Sequence, residues 1–275
     1  MAVATAHPVR TAALPVPGSR PCREQEPQLL GAGAAPRRAI RLDLTKVASR
    51  KAGQTSLERV RAVTHLADGS LTPSTTSRKI SAVLTTGRLG QGRVPVQASF
   101  RVSYPGAKPA TSGNAFNLAG YFDALNGGAL GLQPGTSTHP INDHLPSAPI
   151  GVGATWRVVN CDEIYTTPAM ETRTYTLRSL AHGVLVASYR DVVALDPGNV
   201  DLGTTKVNGR SAKISLVALR GSATGSLRLP LANGLESSTM MVTTIHVALR
   251  AAATSRKPVV IHTDIVDSES EVPTR

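Results

Sequence analysis

Apolar and polar residues alternate along much of the chain, and this alternation predicts strands. The clearest case is residues 94–104, in which Val, Ala, Phe and Tyr occupy every second position and polar residues or proline lie between them. A period of two is typical of a strand that buries one face and exposes the other, as in an antiparallel sheet. Pro95 cannot donate a ladder hydrogen bond, which places it at a sheet edge or at the start of a strand.

Similar segments follow one another closely after residue 150. We predict strands over residues 154–160, 171–180, 184–195, 212–220, 226–231, 238–250 and 258–267. Their connections carry residues typical of hairpin turns, namely His182-Gly183, Pro197-Gly198, Asn208-Gly209, Gly221-Ser222 and Asn233-Gly234. Asn-Gly reaches positive φ at little cost, which a tight hairpin turn requires. Successive strands joined in this way pair as an up-and-down meander.

The N-terminal part has a different pattern. Residues 1–35 are rich in Ala, Pro and Arg without any period, and we predict that they are disordered. Order is expected to begin at residue 36, because Ile40 and Leu42 alternate with charged residues as in a half-buried strand. A turn is predicted at residues 52–54, with strands over 55–64 and 79–86.

The middle of the chain, residues 105–149, has the weakest strand signal. Phe116, Leu118 and Phe122 fall at helical spacing, which predicts a short helix over residues 114–125, and residues 133–149 have the composition of an exposed loop. The predicted fold is therefore mainly β. A long curled antiparallel meander, an open or half barrel, hides its apolar face with one short helix or loop across it. Residues 36–270 form one domain, divided into strands at 36–104, an insert at 105–149 and a meander at 150–270.

The composition gives the chain a strong positive charge. The chain carries 30 Lys and Arg against 18 Asp and Glu, a formal net charge of +12, and aromatic residues make up only 3%. A charge of this size favours contact with anionic surfaces. The scarcity of aromatic side chains for base stacking disfavours a nucleic-acid binder. No apolar window approaches the roughly 18 residues that a membrane-spanning helix needs.

No motif in the chain predicts a catalytic, cofactor or metal site. The glycines between residues 87 and 92 are spaced wrongly for a dinucleotide-binding loop, and a strand follows them instead of a helix. His139, Asp143 and His144 lie together in a predicted loop, and the two histidines are within reach of one zinc ion, but a third protein ligand and a supporting shell are not visible, so solvated loop residues are expected. His246 and His262, with Asp264, are expected to form a polar pair across two strands on the wet face.

Three aromatic residues are the candidate ligand contacts: Trp156, Phe116 and Phe122. Trp156 is the one tryptophan of the chain, and a lone tryptophan among aliphatic strands is typical of a core anchor, which is the alternative interpretation. Cys22 and Cys161 are the two cysteines, and a disulfide between them is possible but not required by the pattern. Residues 14–22 match a lipid-attachment box poorly, and residues 1–27 contain no apolar stretch of a standard secretory signal.

Two short motifs resemble an uncharacterised bacterial family of secreted proteins and lipoproteins. One is Pro36-Arg37-Arg38 followed by an alternating segment, and the other is Val152-Gly153-Ala154-Thr155-Trp156 shortly after a proline. With the Thr-rich closing strands, the resemblance covers roughly residues 29–270. It implies an extracytoplasmic, β-rich domain and supplies no catalytic residues.

Several functions remain open on this basis. The leading hypothesis is a non-enzymatic extracytoplasmic domain that binds a lipid or another apolar or amphiphilic ligand on its curled sheet. The alternative is a structural or interaction module that contacts anionic envelope polymer through its arginines. A hydrolase with a site assembled from distant residues is a third hypothesis.

Overall fold

The computed structural model describes residues 25–65, 69–104, 115–125, 131–132, 145–164, 167–195, 200–207, 210–253 and 259–274. The strands of these regions form one 13-stranded sheet in which all neighbours are antiparallel. The fold class predicted from the sequence, mainly β with a long curled open sheet, is therefore confirmed. No helix in the described regions is long and apolar enough to cross a membrane.

The elements have the following bounds. The strands are β1 Gln25–Gly31, β2 Lys51–His65, β3 Leu71–Thr86, β4 Arg93–Ser103, β5 Ala115–Asp123, β6 Gly131–Leu132, β7 Thr155–Ile164, β8 Thr167–Ala181, β9 Val184–Leu195, β10 Val200–Val207, β11 Arg210–Pro230, β12 Ser238–Ala253 and β13 Val259–Thr274. A four-residue helix, α1, spans Leu44–Val47, and a 3₁₀ turn spans Gly234–Glu236.

The sheet consists of two meanders that meet in its middle. Strands β7 to β13 form the C-terminal meander, and strands β2 to β6 form the N-terminal meander. They are joined where β13, at the end of the chain, pairs with β2, near its beginning, from Thr274–Gly53 to His262–His65. We call this pairing the seam. Strand β1 adds to the outer edge of β7, so the sheet ends at β1 on one side and β6 on the other.

The predicted helix at residues 114–125 is wrong, because this segment forms β5. It pairs with β4 along nearly the whole length of that strand, with Phe116 opposite Phe100 and Phe122 opposite Val94. The apolar residues at 116, 118 and 122 fit a period of two as well as they fit a helix, and the free edge of β4 selects the strand. Pro95 is near the start of β4, between β3 and β5, which agrees with the interpretation as a strand start.

Two predicted turns are also wrong. Residues 52–54 lie inside β2, and Gly221-Ser222 lies in the middle of β11, which joins the predicted strands 212–220 and 226–231. Pro197-Gly198 and Asn208-Gly209 lie outside the described residues. Strands β9 and β10 both run antiparallel to β11, and β10 pairs with β11 from Val200–Leu216 to Val207–Arg210.

Order also begins earlier than predicted. Residues 25–31, within the segment expected to be disordered, form β1 on β7, and residues 1–24 lie outside the described regions. The alternating segment that begins at residue 36 is extended but does not join the sheet. It crosses one face instead, where Leu42 N–H donates to the carbonyl of Ala124 and Asp43 N–H donates to the carbonyl of Leu231. The Asp43 carboxylate then caps α1 by accepting from Thr45 N–H.

The face that this segment covers holds the main hydrophobic core, and we call it the inner face. Its largest fully buried side chains include Trp156, Tyr175, Leu177 and Leu84, which share one cluster with Ile40 from the crossing segment. A smaller cluster around Leu216 and Leu219 lies near the other end of β11. The alternation at Ile40 and Leu42 therefore does bury both side chains, but through a crossing segment and not a strand.

The two motifs that carry the family resemblance pack against each other. Gly151 N–H donates to the carbonyl of Ala32, Ala34 N–H donates to the carbonyl of Val152, and Arg38 and Ile150 exchange both backbone hydrogen bonds. A Cβ atom on Gly151 would overlap the carbonyl oxygen of Ala34, so the close approach requires glycine there. This contact anchors the start of the crossing segment beside the Trp156 strand.

Candidate functional site

The two faces of the sheet carry opposite charge. Alternate strand residues point to opposite faces, so the register assigns each side chain to one of them. The exposed cations of the outer face include Lys51, Arg59, Arg61, Lys79, Arg101, Arg157, Arg190, Arg220 and Arg228. Six carboxylates lie on the inner face: Glu58, Glu171, Asp191, Asp267, Glu269 and Glu271. The net positive charge of the described sheet is therefore displayed outward.

A shallow groove of about 770 Å³ crosses five strands of the outer face, from β11 to β3. Leu57 on β2 and Met240 and Val242 on β12 line it on either side of β13, and all three side chains are exposed. Arg59 and Lys79 lie at its β2–β3 end, and serines and threonines complete both walls. The groove combines an apolar floor with hydroxyl groups and two cations, and it runs directly over the seam.

On the inner face, one row of opposed residues leads from the core to the seam. It runs from β1 to β3 through Leu29, Trp156, Tyr175, Tyr189, Gly225, Met241, Glu269, Glu58 and Arg78. The rings of Trp156 and Tyr175 stack with centroids 5.0 Å apart, and Tyr189 follows at 5.6 Å. A Cβ atom on Gly225 would overlap the Tyr189 ring, so the missing side chain at Gly225 makes room for that ring.

The first charged cluster on this face lies on β8 and β9, and we call it the meander cluster. Arg173 donates through Nε to Asp191 Oδ2 at 2.7 Å and through Nη2 to Glu171 Oε1 at 2.8 Å. Its guanidinium also lies 4.8 Å from the centroid of the Tyr189 ring, and its Nη1 is 3.3 Å from the Tyr175 hydroxyl. One arginine therefore binds two carboxyl groups and two aromatic side chains at once.

The meander cluster holds one negative charge more than its arginine can neutralise. Asp191 is 2% exposed, and its Oδ1 is enclosed without a hydrogen-bond donor. Burial raises the pKa of Asp191 to about 8, Arg173 opposes this, and the neighbouring Glu171 carboxyl adds to it. Two carboxyl oxygens in hydrogen-bonding range can bond to each other only if one of them carries a proton. The cluster is thus arranged to hold a proton at neutral pH.

A second cluster of the same composition lies at the seam, and we call it the seam cluster. Arg78 on β3 binds both oxygens of Glu58 on β2 through Nε and Nη2. Glu58 is buried, and this pairing raises the pKa of Arg78. Asp267 on β13 lies within hydrogen-bonding range of the Glu58 carboxyl, and its Oδ1 has no donor. Burial, then Glu58 and Glu269, raise the pKa of Asp267 to about 7, against the opposing effect of Arg78.

The remaining seam carboxylates have hydroxyl partners. Ser56 donates to Glu269 Oε1 at 2.6 Å, which links β2 to β13 beside the seam cluster. Thr239 donates to Glu271 Oε2 at 3.4 Å, which links β12 to β13. Acidic residues at the end of the chain therefore belong to the interior of the sheet, because β13 continues to Thr274.

The predicted histidine pair on the outer face has a different second member. Asp264 lies opposite His246 and contacts its Nδ1 at 2.6 Å, as expected from their register. Its other oxygen contacts His65 Nε2 on β2 at 3.0 Å, whereas His262 lies opposite His65. Pairing of β13 with β2, which the sequence pattern did not predict, supplies His65. These hydrogen bonds lower the pKa of Asp264.

In the part of the chain that the structure describes, no group of three or more His, Cys, Asp or Glu side chains is arranged to hold a metal ion. His139, Asp143 and His144 lie outside the described residues, so the expectation for them stays a prediction. The side chain of Cys161 and the whole of Cys22 are also outside, so their pairing stays open.

The three candidate ligand-contact residues do not form one exposed site in the part of the chain that the structure describes. Trp156 is 1% exposed in the core, stacked on Tyr175, and Phe122 is also buried there. Phe116 pairs through its backbone with Phe100, and its side chain is not described. Neither Trp156 nor Phe122 presents a surface to solvent, and contact of these residues with a ligand stays a prediction.

The charged clusters were missed from the sequence, although a signal for them exists. Glu171 and Arg173 share the strand face of Tyr175 and Leu177, so the alternation itself places two charges at core positions. Charged residues are rarely buried unless they are paired. Alternation cannot identify the partner, because Asp191 and Asp267 belong to other strands whose register only the folded sheet defines.

No family model and no curated protein matches this chain. Among solved structures, the chain is similar to an outer membrane channel from Pseudomonas putida F1, with 9% identity and a TM-score of 0.25. The match covers 81% of this chain and 95% of that chain. A TM-score this low supports no statement about the function of the chain.

Proposed function

We propose that this protein is a non-enzymatic extracytoplasmic interaction domain that binds an anionic polymer of the cell envelope through its outer sheet face. The extracytoplasmic location rests on the resemblance of the two motifs at residues 36–38 and 152–156 to a secreted family. The choice of partner rests on charge. An anionic chain lying across the strands meets arginine and lysine side chains from at least six of them.

The segregation of charge between the two faces is the observation that carries this proposal. Outward cations on neighbouring strands raise the positive potential of one face, while the carboxylates that could neutralise them lie on the other side of the sheet. Outer-face carboxylates such as Asp201 and Asp264 are already engaged, with Lys213 and with two histidines. The exposed arginines are therefore available to an external anion.

Binding to alginate, an anionic polyuronate, with dextran as its neutral counterpart, tests the proposal. We expect the purified protein to bind alginate and to lose it as salt rises from about 0.05 to about 0.5 M, because exposed charges are screened within about 10 Å at 0.1 M. The double variant Arg59→Glu and Lys79→Glu should bind about tenfold more weakly or worse. Lys46→Glu in α1 changes an exposed lysine away from this face and serves as the matched control.

Two results would count against the proposal. Equal retention on dextran and alginate would show that charge does not direct binding. An equal loss of alginate binding in the Lys46→Glu control and in a single Lys79→Glu variant would show that net charge matters but the outer face does not.

An anionic amphiphile is the second candidate, favoured by the exposed apolar side chains that line the outer groove. Leu57 is 56% exposed and Met240 is 64% exposed, beside the two cations of the groove. Displacement of a fluorescent fatty acid measures this activity directly. The variant Leu57→Ser should weaken fatty-acid binding and leave alginate binding unchanged if the amphiphile occupies the groove, and should change neither if it does not.

A further inference from the structure

The seam is the place where the two meanders of the sheet hold together. The chain enters the N-terminal meander at β2 and ends the C-terminal meander at β13, and their pairing is the link between the meanders within the sheet. No turn joins these two strands, since more than 190 residues of chain separate their ends. Side-chain interactions across the seam therefore join two strands that are far apart along the chain.

Carboxyl groups face one another across this junction. Glu58 on β2 lies directly opposite Glu269 on β13, and Asp267 is two residues before Glu269 on the same face. Arg78 on β3 is bound to both oxygens of Glu58. Asp267 Oδ1 is enclosed and has no donor, although the Glu58 carboxyl is in hydrogen-bonding range.

Among the groups around Asp267, a shared proton is the simplest source of a hydrogen bond for its unpartnered Oδ1 atom. The charged groups that face it are Glu58 from β2, Glu269 from its own strand and Arg78 from β3. Its directly opposed neighbours on β12 and β2 are Thr243 and Val60, which carry no charge. Three carboxyl groups share one guanidinium, so a fully ionised cluster has an excess of negative charge in a partly desolvated place.

We propose that the seam is a proton-dependent clasp between the two meanders. With one proton shared between Asp267 and Glu58, a carboxyl–carboxylate hydrogen bond ties β13 to β2. When that proton leaves to solvent, the two carboxylates repel each other across the seam, and the pairing of β13 with β2 loosens.

The meander cluster shows why this property belongs to the seam. Glu171, Arg173 and Asp191 have the same chemistry, but β8 and β9 are consecutive strands joined by the short turn at His182-Gly183. Loss of a proton there costs stability without separating the two meanders. Its aspartate therefore provides a matched control that titrates but does not lie at the seam.

The direction of the pH effect follows from linkage. An open seam exposes Asp267, which then titrates near 3.8, whereas the closed seam raises its pKa. The closed form therefore keeps a proton that the open form has lost, and opening becomes easier as pH rises from about 4 to about 7, with no further change above that. Asp267 remains partly exposed, so solvent screening limits the effect to about tenfold in the opening equilibrium.

Hydrogen exchange measured by mass spectrometry on the full chain tests the clasp. After correction for the intrinsic exchange rate, protection of peptides from residues 53–64 and 262–274 should fall about tenfold between pH 5 and pH 8. In Asp267→Asn, the amide donates permanently to Glu58, so this fall should disappear. In Asp191→Asn, seam protection should still depend on pH as in the wild type.

Two outcomes would overturn the clasp. One is a seam in Asp267→Asn whose protection still falls with pH as in the wild type. The other is a fall of equal size in β8, β9 and the seam of Asp191→Asn, which would indicate global unfolding, because this variant lacks the titrating group of the meander cluster. If Asp267→Asn does not fold, Glu58→Gln removes the same carboxyl pair and must also abolish the pH dependence. The measurement contains no polymer, so its result is independent of the proposed function.

Discussion

The meander cluster and the seam cluster use the same three groups in two different settings. Each pairs one arginine with a glutamate on the inner face, and each leaves one oxygen of a neighbouring aspartate without a donor. In the meander cluster, Arg173 has 18% of its side chain exposed and lies against the Tyr189 ring. In the seam cluster, Arg78 has 40% of its side chain exposed. Their energetic roles therefore differ although their composition does not.

The difference shows that burial decides how much an ion pair matters. A buried pair costs desolvation and becomes strongly destabilising only when one partner is removed. A pair reached by solvent contributes little, because water replaces the missing partner. We therefore expect the meander cluster to affect global stability and the seam cluster to affect local opening.

Replacement of Arg173 by Met should have the largest effect. It leaves Glu171 and Asp191 buried without their cation, and we expect the free energy of unfolding at pH 7 to fall by about 3–5 kcal/mol. The loss should be smaller at pH 5, where Asp191 is fully protonated. Denaturant titrations at the two pH values measure this. A loss below about 1 kcal/mol at pH 7 would mean that water reaches the meander cluster.

The pH dependence of stability should come next in size. The pKa of Asp191 is raised in the folded state, so its stabilising proton is fully present below about pH 4 and is lost as pH rises towards about 8. Wild-type stability should therefore fall by about 3–4 kcal/mol between pH 5 and pH 8, at about 1.4 kcal/mol for each pH unit over which the proton is lost. Asp191→Asn should remove most of this slope. An unchanged slope in the variant would assign the titration to other groups.

Replacement of Arg78 by Met should have the smallest effect on global stability. It leaves one buried carboxylate, Glu58, without its cation, but solvent reaches the place of the guanidinium, so we expect a loss of about 1–2 kcal/mol in the same denaturant titration. Hydrogen exchange at the seam should increase more than exchange in β8 and β9. A global loss equal to that of Arg173→Met would contradict the distinction between the two clusters.

The strands themselves were largely predictable from the sequence. Residues 184–195 were predicted with the bounds of β9, and the β4 prediction differs by one residue at each end. Period-two alternation is a local property, so it survives without knowledge of the partner strand. The same alternation misidentified residues 36–44 as a strand, because a crossing segment also buries every second side chain.

The site required information that lies outside any one segment. Nothing near residues 264–271 indicates that β2 lies beside the carboxylates of β13. The helical interpretation of β5 failed for a similar reason, because the free edge of β4 is not visible from residues 115–123. The local pattern of apolar residues could not distinguish a helix from a strand at β5.

The sequence by itself determined that this protein is a basic chain of strands with one apolar face. The reason is that net charge and period-two alternation depend only on each residue and its neighbours in the sequence. Only the tertiary structure decided that the last strand pairs with β2 and that the acids gather on the inner face beside two arginines. The physical reason is that register between distant strands depends on the whole sheet. A shift of one residue would move Asp267 and Glu58 from the inner face to the outer face.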